Sequence, residues 1–192
     1  MQPLRLALKL FTTRPIPREE LHPFIGVFHR FIQEQAVPGL LIDVADYAHV
    51  PDGPGVMLIG HEVDYGIDLA RGRTGLLTVR KRAGEADLPA LFRDTLAKTL
   101  AAARAIEADP TVNVRFAVDA LELSFPDRRS APNNAETFAL VSKELAPIAR
   151  VAFGASAAFE NAAAGDPRRM LTLDLTGDGA DLATKLARLE SR

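Results

Sequence analysis

Apolar residues in this chain recur at two spacings, every second residue and every third to fourth, and the order of those spacings limits the available folds. Leu4, Leu6, Leu8 and Leu10 alternate with Arg5, Ala7 and Lys9, which predicts a strand with one buried and one wet face. Leu21, Phe24, Ile25, Phe28, Phe31 and Ile32 follow the i, i+3, i+4, i+7 pattern of an amphipathic helix, opened near Pro17 and ended by Val37-Pro38-Gly39. Strand patterns follow at 40–47, 56–70 and 76–82, the first two joined by a Pro-Gly loop at 51–55. Leu88 to Ala108 has helical spacing again. Val112, Val114, Phe116 and Val118 read as a strand whose inward phase flips to Leu121, Leu123 and Phe125. A period-2 pattern cannot change face without an extra residue, so a bulge or bend is expected near Asp119-Ala120. Asn133-x-x-Glu136 resembles a capping box opening a helix with Val141, Leu145 and Ile148 inward. A weak strand at 155–161, a clean one through Leu171, Leu173 and Leu175, and a short helix with Leu182, Leu186 and Leu189 complete the pattern.

Strands and helices mix here without strict βαβ alternation, and short connections favour hairpins. The expected fold is a single α+β domain over 1–192, a mostly antiparallel sheet with helices packed on one face. The order of elements also repeats, β-α-β-β-β-α and then β-α-β-β-α, and Pro17 to Gly39 spans the same distance as Pro132 to Gly154. This suggests two related halves, 1–109 and 110–192, about a pseudo-twofold, although residue identity between them is negligible.

An apolar fraction of 47% in 192 residues is enough for a core without staples. The absence of Cys rules out disulfides and thiolate metal sites. A net charge of −2, no Trp and only two Tyr argue against a nucleic-acid partner. No run of 18 apolar residues occurs, so no membrane partner is expected. The N-terminus makes a poor signal peptide, and the expected location is cytoplasmic.

The segment from Asp43 to Asp68 concentrates Asp, Glu and His. If 56–70 were one strand, alternation would place Glu62, Asp64 and Asp68 on one face and His61, Val63 and Tyr65 on the other. The three acids are the candidate ligands for a hard divalent cation, which takes several carboxylate oxygens. They can equally pair with Arg80, Lys81 and Arg82 on the next strand. His61 oriented by Asp43 or Asp46 would make a general base, and the alternative is a hydrogen-bonded core histidine. Tyr47, His49, Tyr65, Arg80 and Arg82 are the candidates for lining a ligand site. No G-x-S-x-G, P-loop, dinucleotide fingerprint or H-E-x-x-H motif is present. The leading expectation is therefore a protein that binds a small polar ligand or a protein partner, with no catalysis of its own and no cofactor. One alternative is a metal-assisted or His-Asp acid/base hydrolase built from 43–68. Another is a structural subunit of a homo-oligomer, extended through an exposed strand at 4–11.

Overall fold

A computed structural model describes residues 5–82 and 86–191; Leu4 lies outside that range. Among the described residues, eight strands form one antiparallel sheet, accompanied by four α-helices. The strands are β1 (Leu6–Phe11), β2 (Leu41–Asp46), β3 (Pro54–Gly60), β4 (Val63–Asp68), β5 (Gly75–Arg80), β6 (Ala120–Ser124), β7 (Ala158–Asn161) and β8 (Thr172–Thr176). The helices are α1 (His22–Glu34), α2 (Leu88–Ala108), α3 (Ala135–Phe153) and α4 (Leu182–Glu190). The sheet order is β2-β3-β4-β5-β1-β6-β8-β7. The α+β class is as the periodicities predict.

Alternation explains which side of the sheet carries the helices. Leu6, Leu8 and Leu10 of β1, Tyr65 and Ile67 of β4, Leu76 of β5, Leu121 and Leu123 of β6, and Leu173 and Leu175 of β8 all belong to one buried core with the helices. Within it, α1 lies against β2 and β3, α2 against β1 and β5, α3 against β7 and β8, and α4 against α2 and α3. Helix starts follow local chemistry. The Asp87 side chain accepts from Ala90 N at the head of α2, and Asp181 accepts from Thr184 N at the head of α4. At α3 the cap is Asn134, whose side chain accepts from Thr137 N, not Asn133. Asn133 is instead buried and donates to the Ala163 and Asp166 carbonyls.

Four expectations need correcting. The stretch 56–70 is not one strand but a hairpin, β3 and β4 joined through a bend at His61-Glu62. The Asp64 carboxylate accepts from Gly60 N across that bend, 3.0 Å apart. Residues 112–117 form no strand, only a single bridge, Thr12 to Phe116, before the chain bends at 118–119 and enters β6. The bend falls where the inward phase flips. β1 has no wet face, because Ala7, Lys9 and Phe11 are buried as well as the leucines. Nor is it an exposed strand that could extend the sheet into another copy: β5 pairs with one side and β6 with the other. The edges are β2 and β7.

The first half supplies β2-β3-β4-β5-β1 and the second β6-β8-β7, so the strand that opens each half lies at the middle of the sheet. That order alone does not demonstrate an internal duplication. Among the described residues, no helix is long and apolar enough to cross a membrane.

Candidate functional site

The centre of the sheet face away from the four α-helices is buried. The alternate residues of the central strands point there: Ala7 and Lys9, Leu77 and Val79, Glu122 and Ser124. Gly53, Pro54, Ala70 and Arg71 form a wall on the β4 side. Pro126, Arg169 and Met170 form the opposite wall. Together they enclose a basin of about 480 Å³, within the range of roughly 300–1,000 Å³ usual for small-molecule sites. A depression of about 560 Å³ lies over α3 and α4, beside Pro147, Arg150 and Arg188. Its Arg188 is already engaged by the Asp178 carboxylate and the Ala152 carbonyl, and the depression lacks a comparable apolar floor.

The basin's charges come in pairs. Lys9 Nζ stands 2.5 Å from Asp68 Oδ2, with side-chain exposures of 3% and 7%, and is 3.4 Å from the Ala70 carbonyl oxygen. Glu122, directly across from Lys9 in the β1–β6 register, is also buried. Its carboxylate is held by Nη2 of Arg71, whose side chain is half-exposed.

Among the described residues, Arg71 is one of two non-glycine residues with a positive φ, at φ 61° and ψ 25°. Left-handed backbone costs a residue with a Cβ on the order of 1–2 kcal/mol. The Asp52 carboxylate secures this turn by accepting from Arg71 N at 2.7 Å. The unusual backbone thus coincides with the side chain that reaches across the basin to Glu122. Arg169 on the far wall is exposed, and among the described residues its guanidinium has no partner. Nearby, the Arg73 guanidinium stacks 3.7 Å above the Phe11 ring.

The structure does not bring the sequence candidates together. Asp43 and Asp46 lie exposed on the edge strand β2, where their carboxylates accept from Val44 N and Ala48 N, each at 2.8 Å. His61 is exposed in the β3–β4 bend, with Nε2 2.8 Å from Arg82 Nη1, and neither aspartate bonds to it. Tyr47 is partly exposed and tilts against His49, ring centres 6.2 Å apart. Tyr65 is buried on the helix side, and among the described residues its hydroxyl has no partner. Burial pushes its phenol pKa well above the ordinary range, against the opposing charge of Arg80. Arg80 is buried on the same side, donating to Thr95 Oγ1 at 3.1 Å and paired with Asp94.

The acidic row is divided among three cations. Glu62 lies 3.6 Å from Arg80, Asp64 2.8 Å from Lys81, and Asp68 is held by Lys9. The turn at His61-Glu62 is the reason, since it takes Glu62 out of the alternation that Asp64 and Asp68 share. Among the described residues, no group of three or more His, Asp or Glu is arranged to hold a metal ion. Of all the candidates, only Asp68 lines the basin. Lys9, Glu122 and Arg169 were not singled out for it by sequence reasoning. Two of them did carry a signal: Lys9 between leucines, and Glu122 between Leu121 and Leu123, are lone charges inside apolar strands.

An exposed His61 implies a small effect when it is removed. His61→Ala is expected to change unfolding free energy by less than about 0.5 kcal/mol, the usual scale for surface substitutions. Urea denaturation of the two proteins checks this. A loss above about 1 kcal/mol would mean that His61 holds the hairpin.

The chain matches no protein-family model, no curated protein and no solved structure.

Proposed function

We propose that this protein binds a small molecule in the basin on its open sheet face and performs no covalent chemistry there. The observation that carries the reading is the basin's composition. It has an apolar floor of Ala7, Leu77 and Val79 and walls drawn from both halves of the chain. The buried ionisable groups there are already paired, Lys9 with Asp68 and Glu122 with Arg71. Paired groups can orient a ligand by hydrogen bonding, and the pairing occupies the carboxylates and the amine that could otherwise act as base or nucleophile. An apolar cavity with a few fixed polar groups is the usual form of a ligand pocket.

Methyl chemical-shift mapping against a library of small fragments tests the reading. Hits are expected to perturb Ala7, Leu77 and Val79 together, and Leu77→Trp, which fills the floor, is expected to abolish those perturbations. Hits confined to the depression over α3 and α4, or none at the floor methyls, would overturn it.

A further inference from the structure

We infer that the ligand of this basin is an organic anion, a carboxylate on an apolar body, gripped between Arg71 and Arg169. The inference rests on the basin being a binding site. Arg71 is tethered but not exhausted: Nη2 holds Glu122, while Nε and Nη1 have no partner among the described residues. The side chain is half-exposed, so those donors are reachable from the cavity. The left-handed backbone and the Asp52 contact fix where the guanidinium starts from, so little freedom is lost when it binds. Arg169 stands on the opposite wall, exposed and without a partner among the described residues.

Counted together, the lining holds three cations, Lys9, Arg71 and Arg169, against two carboxylates, Asp68 and Glu122. Each carboxylate already has its cation. The charge left to be matched is therefore positive. The unpartnered Arg169 guanidinium presents two parallel donors that fit the two oxygens of a carboxylate, and the remaining donors of Arg71 can close on the other side. Between the two arginines the floor is Leu77, Val79 and Ala7, and Met170 beside Arg169 is 45% exposed. That surface suits an apolar ring or chain rather than a sugar or a hydrated ion.

The experiment is a calorimetric and NMR titration of the whole chain with three probes. These are 1-naphthoate, the neutral 1-naphthalenemethanol, and inorganic phosphate. Naphthoate is expected to bind at the floor methyls, with the alcohol and phosphate each at least about tenfold weaker, the scale of one charge-assisted hydrogen bond. Arg169→Ala removes an exposed, unpartnered side chain and leaves the fold intact. Arg71→Lys keeps a cation for Glu122 and loses only the planar fork. Each is expected to weaken naphthoate by about tenfold or more and leave the alcohol unchanged. Equal binding of alcohol and naphthoate, or naphthoate binding that both variants leave untouched, would overturn the anion inference while the basin remains a binding site. Tighter phosphate than naphthoate would overturn the apolar body. No shift at the floor methyls with any probe would overturn both this inference and the binding reading.

Discussion

Asp68→Asn is expected to destabilise the protein by about 3–5 kcal/mol, the scale for removing one partner of a buried ion pair. Lys9 and Asp68 have side-chain exposures of only 3% and 7%, so neither can turn to water when the other is lost. The Lys9 ammonium would keep acceptors, among them the Ala70 carbonyl 3.4 Å away, but lose the charge that compensates its burial. Lys9→Met should cost a similar amount for the mirror reason, an orphaned carboxylate. The double variant Lys9→Met/Asp68→Val should recover to within about 1 kcal/mol of the parent, because a packed apolar pair of similar volume commonly matches a buried ion pair. Urea denaturation of the four proteins gives the coupling directly. Single variants within about 1 kcal/mol of the parent would show that water reaches the pair, contrary to its burial.

The same comparison bears on the basin. If an apolar pair serves the sheet as well, stability does not account for charges on the floor of a cavity. The remaining account is that they shape what enters. Lys9 faces Glu122 across the β1–β6 pairing, and Glu122 in turn holds Arg71. The pair thus belongs to one row of fixed charge that runs from Asp68 to the arginine on the wall.

How much of this was legible in the sequence depended on whether the information was local. Helix α2 runs from Leu88 to Ala108 as its spacing predicts, because a capping aspartate and a 21-residue amphipathic pattern lie within one stretch of chain. The phase flip between Phe116 and Leu121 marked the bend at 118–119 for the same reason. The β3–β4 turn was hidden because Ile59, His61 and Val63 continue the alternation straight through it, and only Gly60 interrupts the strand chemistry. The position of β1 was not legible at all. Its flanking partners, β5 and β6, come from about 70 and 115 residues further on, and period-2 patterns report which face is buried, not which strand lies alongside. For that reason Lys9 was read as wet, and the basin, assembled from six strands and four connecting segments, had no signature in any one segment.

The second large effect concerns the C-terminal helix, and Lys185→Ala is expected to cost about 3 kcal/mol. Lys185 is fully buried. Its ammonium donates to Asp178 Oδ1 at 2.8 Å and to the Asp178 carbonyl at 2.9 Å, and it lies 4.3 Å over the Phe153 ring. Truncation to alanine removes three buried methylenes at about 0.8 kcal/mol each, and a cation–π contact worth roughly 0.5–2 kcal/mol. Lys185→Met restores most of the stem and should lose about half as much. Asp178 is the joint between α3 and α4, while the cap of α4 is Asp181. Its N–H donates to the Phe153 carbonyl, its carboxylate also accepts from Arg188, and Gly154 makes room for it. There φ is 84°, and a Cβ would stand 2.5 Å from Asp178 Oδ2. Hydrogen bonds from Lys185 and Arg188 hold the Asp178 carboxyl well below the usual carboxylate range. A carboxyl whose folded pKa is depressed stabilises the fold above its unfolded pKa, about 3.9, and that contribution fades as pH falls further toward the folded value. Asp178→Asn should therefore flatten the fall in stability below about pH 4 that the parent shows. Amide exchange locates the effect: α4 should lose protection first in Lys185→Ala, while the central strands keep theirs. Equal protection of α4 in the variant and the parent would mean that its packing on α2 and α3 suffices without the lysine.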